Sequence, residues 1–68
     1  MRLDYARTLH GFGVTLLRRS VPGDEIYQRG LAYLNQAHDL FKDCGATIEL
    51  DWVERILANL EYHNAEAQ

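Results

Sequence analysis

From Gly30 to Gly45 the chain reads Gly-Leu-Ala-Tyr-Leu-Asn-Gln-Ala-His-Asp-Leu-Phe-Lys-Asp-Cys-Gly. Its large apolar residues stand at Leu31, Leu34, Leu40 and Phe41, with Ala37 between them. That spacing is the buried stripe of an amphipathic helix. Gly30 and Ala37 are small residues on or beside the stripe, and small residues on a buried face let a second helix approach closely. Gly45 is placed to stop the helix, because glycine takes the left-handed backbone that the position after a helix needs. The stretch predicts the second helix of a tightly packed helical hairpin, and with it an interaction scaffold.

The chain has 68 residues, room for one small domain spanning 1–68. A chain this short buries a modest fraction of its surface and is marginally stable alone. With one Cys, no internal disulfide adds to that stability. Hydrophobic residues make up 47% and charged residues 25%, a globular balance rather than a disordered one. The net charge of -3 argues against a nucleic-acid partner, which wants a basic surface. No apolar run approaches the roughly 20 residues of a membrane span. The start, Met-Arg-Leu-Asp-Tyr, lacks the apolar core of a signal peptide. A cytoplasmic chain without a membrane partner is expected.

The spacing predicts a first helix over 3–19, with Ala6, Leu9, Phe12, Leu16 and Leu17 as its apolar face. Gly11 and Gly13 lie inside it. Each costs roughly 1 kcal/mol relative to Ala, and close crossing by a neighbouring helix is the usual reason for such a cost. Arg18 and Arg19 bring positive charge to the negative end of the helix. Ser20-Val21-Pro22-Gly23-Asp24 is the first turn. The second helix is predicted over 24–44, opened by Pro22 or Asp24, with Asp24 and Glu25 suiting its first turn and Ile26 and Tyr27 extending its apolar face. A short turn near Gly45-Ala46-Thr47 favours an antiparallel neighbour. The third helix is predicted over 47–62, with Thr47 as its cap and Leu50, Val53, Leu57 and Leu60 as its stripe, widened by Trp52 and Ile56. Beyond Tyr62 the pattern ends, and fraying is expected. The fold expected is all-α: three antiparallel helices, a hairpin plus a C-terminal capping helix.

Helices one and two resemble a tetratricopeptide repeat, the helical hairpin that stacks into solenoids. In that family's first helix a small residue follows one large apolar residue and precedes another by three. Gly13, Phe12 and Leu16 match it, and Leu9 stands where an aromatic residue is usual. In the second helix Gly30, Leu34 and Ala37 match the family's series of small, large and Ala. Lys42 falls where the family has Pro. The hairpin turn is about five residues longer than in the ordinary repeat of about 34. The Ala-x-x-Leu-Phe-x-x-x-Gly-Ala pattern is most similar to repeats of large bacterial regulators and signalling ATPases. The resemblance covers about residues 5 to 45. Helix three is either a cap or the first helix of a degenerate next repeat, with Glu61 at the Gly place. The resemblance implies a non-catalytic protein-interaction module, a solenoid fragment or a small free-standing adaptor. It further implies that Arg7, His10, Val14, Leu17 and Arg18 line a concave face touching ligand peptides. These positions follow helical steps of three and four and so share a face. Two arginines and a histidine there suit an acidic segment or a terminal carboxylate.

Nothing in the sequence converges on catalysis. His10, His38 and His63 fall on three separate helices without metal-ligand spacing, so no metal or other cofactor is expected. Cys44, at a helix C-terminus where the dipole disfavours a thiolate, is expected to be a buried structural residue. Asp39 and Asp43 share a helix face as solvated carboxylates. Tyr5, Tyr27, Tyr33, Tyr62 and Trp52 are expected in the core, with some left over for an interface. The alternative function is structural homo-oligomerisation. A lone hairpin with one extra helix leaves the side near Leu3, Ala6 and Leu9 without a cover, so self-association as a two-fold dimer is expected.

Overall fold

The computed structural model describes residues 2–66, and side chains as far as residue 60. Its three helices are α1 (Arg2–Arg18), α2 (Glu25–Cys44) and α3 (Thr47–Glu66), the all-α, three-helix fold that the sequence predicts. The α1 and α2 bounds match expectation to within a residue at each end. In α3 the helix runs on to Glu66, four residues past the expected end at Tyr62. The last two residues of the predicted frayed tail lie outside the described residues.

α1 and α2 form an antiparallel hairpin whose closest approach is backbone on backbone. A Cβ added at Gly13 would stand 2.9 Å from the Gly30 carbonyl oxygen and 2.9 Å from Leu34 Cγ. One added at Gly30 would stand 3.1 Å from the Gly13 carbonyl oxygen and 3.0 Å from Leu17 Cγ. The two glycines therefore share one crossing point, and each is needed because the other is there. Of the two small residues on the α2 stripe, it is Gly30 and not Ala37 that meets Gly13. Ala37 is fully buried two turns further along, among Ala6, Leu9 and Phe41. Gly11, for which a packing reason was also expected, has none: among the described residues nothing lies within 4 Å of its Cβ position.

The buried stripe of α2 is Tyr27, Gly30, Leu34, Ala37 and Phe41, alternating steps of three and four. Leu31 and Leu40 flank it half-buried, and Ile26 is exposed. On α1 the buried residues are Ala6, Leu9 and Gly13. Phe12, expected on that face, is 58% exposed. It sits one position from Gly13, about 100° around the helix, and its ring leans on Tyr33 at 6.1 Å.

α2 ends in a Schellman turn. Gly45 takes φ 69°, its N–H donates to the Lys42 carbonyl at 3.1 Å, and the Ala46 N–H donates to the Phe41 carbonyl at 2.9 Å. The turn leaves no room for Thr47 to cap α3. Thr47 is already the first helical residue, and it is the Ala46 carbonyl that accepts from the Leu50 N–H at 2.9 Å. At the other end of α2, Asp24 holds the extended N-cap backbone but makes no side-chain cap bond. Its carboxylate instead accepts the Val21 N–H at 3.4 Å, bracing the turn.

α3 packs on α2 through Val53, which is fully buried, with Leu50, Ile56, Leu57 and Leu60 beside the same core. This core encloses Ala6 and Leu9. Near Leu3, Ala6 and Leu9, the side expected to be bare, Ala6 and Leu9 are in fact buried and Leu3 is partly buried against the same core. The exposed large apolar side chains are elsewhere, at Tyr5, Phe12, Val21, Ile26, Ile48 and Trp52. No helix among the described residues is long and apolar enough to cross a membrane.

Candidate binding groove

α3 runs parallel to α1 across α2. Near one end of the pair the Arg7 guanidinium meets Glu49 Oε2 at 3.4 Å. Near the other, Val14, Leu17 and Arg18 of α1 and Ile56 and Leu60 of α3 line one hollow of about 280 Å³. Four of its five walls are aliphatic, and Arg18 supplies the one charge. Arg18 has no ion-pair partner among the described residues, whereas Arg7 is engaged with Glu49. The five sequence-predicted positions thus divide. Val14, Leu17 and Arg18 come together. Arg7 serves as a tie between α1 and the first turn of α3. His10 lies between these two regions.

His10 is half-buried, its ring tilted against Phe41 with centroids 6.5 Å apart. Its Nε2 is sealed from solvent and has no hydrogen-bond partner among the described residues. Burial disfavours the charged imidazolium, so the His10 pKa lies below its ordinary 6.5. The sign follows from linkage. A histidine whose folded pKa is depressed binds a proton more readily unfolded, so stability is fully present above about pH 6.5 and falls as the pH drops through the folded value. The chain should lose stability between pH 7 and pH 5, and His10→Phe should make that loss shallower. Urea midpoints at both pH values test this, and equal slopes in the two proteins would show that His10 is not the titrating group.

Ile56 and Leu60 are the groove residues that sequence reasoning missed. Both stood in the predicted α3 stripe. What was missing was the parallel placement of α3 beside α1, which turns part of a core stripe into a wall. The second tie of α3 is also not in the sequence: His38 Nε2 lies 3.0 Å from Glu54 Oε2, joining α2 to α3. Cys44, expected to be buried, is exposed, standing at the last position of α2, three residues beyond the last buried residue of its stripe, Phe41. Tyr27 is buried, with its hydroxyl unpaired among the described residues. Tyr33 is half-buried and Tyr5 and Trp52 are exposed, while the Tyr62 and His63 side chains lie outside those described. Among the described residues no three His, Cys, Asp or Glu side chains gather closely enough to hold a metal ion. Comparison with known protein families, with curated proteins and with solved structures finds no match to this chain.

Proposed function

We propose that the chain is a non-catalytic protein-interaction module of tetratricopeptide-repeat type, whose groove between α1 and α3 takes a short segment of a partner protein. The observation that supports this most is the hollow of Val14, Leu17, Ile56 and Leu60 with Arg18, in no ion pair among the described residues, at its wall. Aliphatic walls take one or two apolar side chains, and a single guanidinium beside them holds a carboxylate in two-point geometry. The ligand is then an acidic peptide, or a chain terminus, carrying an apolar residue next to its carboxylate. The Gly13–Gly30 contact and the parallel placement of α3 agree with this reading, in which α3 occupies the place of the first helix of a following repeat. Arg7, paired with Glu49 at 3.4 Å, lies outside this hollow.

The test is fluorescence anisotropy with a labelled peptide of alternating Leu and Glu ending in a free carboxylate. Arg18→Glu should weaken its binding by at least about tenfold, a difference of about 1.4 kcal/mol, with helicity unchanged by circular dichroism. Equal binding by the variant would remove the groove from consideration.

A further inference from the structure

The solvent face of α1 carries a second hollow, of about 280 Å³, lined by Thr8, Gly11, Phe12 and Thr15. It lies on the opposite side of the helix from the buried Ala6, Leu9 and Gly13. Nothing in the fold explains it. Gly11 lowers helix stability at a position where no neighbour among the described residues needs the space, and Phe12 presents a large ring to solvent at the same level. Asp4 and Arg19 close the two ends of this face, both exposed and neither in an ion pair among the described residues.

The order of these residues is self-complementary. Place a second copy of α1 antiparallel on the first, with the two-fold axis between Gly11 and Phe12. Asp4 of each copy then stands opposite Arg19 of the other, Thr8 opposite Thr15, and Phe12 opposite the bare backbone at Gly11. Two-fold pairing requires this reciprocity, in which residue i meets j and j meets i. The reach is adequate. Asp4 and Arg19 lie about 11 Å either side of the centre, where a crossing of about 20° parts the axes by about 4 Å, a gap that an arginine side chain spans.

We propose that this face of α1 is a homodimer interface, in which Phe12 of each copy fills the Gly11 hollow of the other and two Asp4–Arg19 pairs fix the antiparallel register. The occupant is a second copy because the charges at the two ends match in that arrangement and clash in a parallel one. The surface is separate from the α1–α3 groove and holds whether or not the groove binds peptide. One helix face is a small interface, so affinity falls at the weak end, with Kd on the order of 100 µM.

Sedimentation equilibrium from micromolar to millimolar concentration tests the proposal. The wild-type chain should dimerise. Gly11→Leu, at an exposed position open in the single chain, should remain folded and lose dimerisation by at least about tenfold. Asp4→Arg alone and Arg19→Asp alone should each weaken self-association, since residue 4 then meets a like charge on residue 19 of the other copy. An equimolar mixture of these two variants should dimerise again, because every pair in the mixed dimer is of opposite sign. The mixing result stands even where Asp4→Arg loosens the first turn of α1 by opposing its dipole. A wild-type chain monomeric to millimolar, a Gly11→Leu chain that still dimerises, or a mixture no better than its components would overturn the interface.

Discussion

Gly13→Leu is expected to abolish the cooperative fold. The first added carbon already falls 2.9 Å from the Gly30 carbonyl oxygen, closer than such atoms come in contact. That oxygen belongs to helix backbone and does not swing aside as a side-chain tip does. α1 and α2 must separate along their length, which strips contacts from Leu34, Ala37 and Leu9 as well. Overpacking typically costs 1–3 kcal/mol and more where backbone must move. A chain of this size holds only about 3–10 kcal/mol in total, on the order of 0.1 kcal/mol per residue. A urea titration followed by circular dichroism should show a broad transition with little baseline. A midpoint within error of wild type would mean that the hairpin does not cross at this glycine. Gly11→Leu, two residues away, is the internal control, since its side chain meets open space.

Phe41→Ala should be comparably damaging for the opposite reason. Phe41 is the largest of the fully buried side chains and packs with Ala6, Leu9, Leu34, Ala37 and Val53, residues drawn from all three helices. Removing it leaves a void at their junction. Phe→Ala changes in cores cost about 3–5 kcal/mol, which is within reach of the whole stability of the chain. Phe41→Leu keeps much of the volume and should cost clearly less. The paired measurement separates loss of volume from loss of the ring, and equal melts for Phe41→Ala and wild type would relocate the core. His10 provides a second readout. Its ring leans on Phe41, so any folded population of Phe41→Ala should also show a weaker decline toward acid.

The three helices were legible because each carries a stripe at helical spacing and because Pro22, Gly23 and Gly45 punctuate between them. Gly45 in particular acts through its own backbone, so its role needs no knowledge of neighbours. The crossing at Gly13 was legible for half of its content. That a bare backbone there admits a second helix follows from the residue itself. Which residue it meets depends on how α2 is rotated, and that is set jointly by Tyr27, Leu34 and Phe41. Phe12 shows the same limit: its side chain fits an apolar stripe by type and falls off it by about 100° of rotation. In the groove, Val14, Leu17 and Arg18 could be named from α1 alone. Ile56 and Leu60 could not, because their contribution arises from α3 lying parallel to α1, a tertiary fact. Arg7 looked equivalent to Arg18 along the helix, and only Glu49, 42 residues away in the chain, tells them apart.

Both α1 and α3 pack chiefly on α2, so the extensively packed partners are always consecutive in the chain. This arrangement bears on the entropy of loop closure. The chain brings its helices together by two local closures, across 19–24 and across 45–46, instead of one closure spanning most of its length. Closure cost rises with the logarithm of the span, and rates of folding fall as contacts become more distant in sequence. A chain with so small a core has little margin for long-range ordering. Confining its packing to neighbours lets either joint nucleate, with the remaining helix adding to a surface already formed.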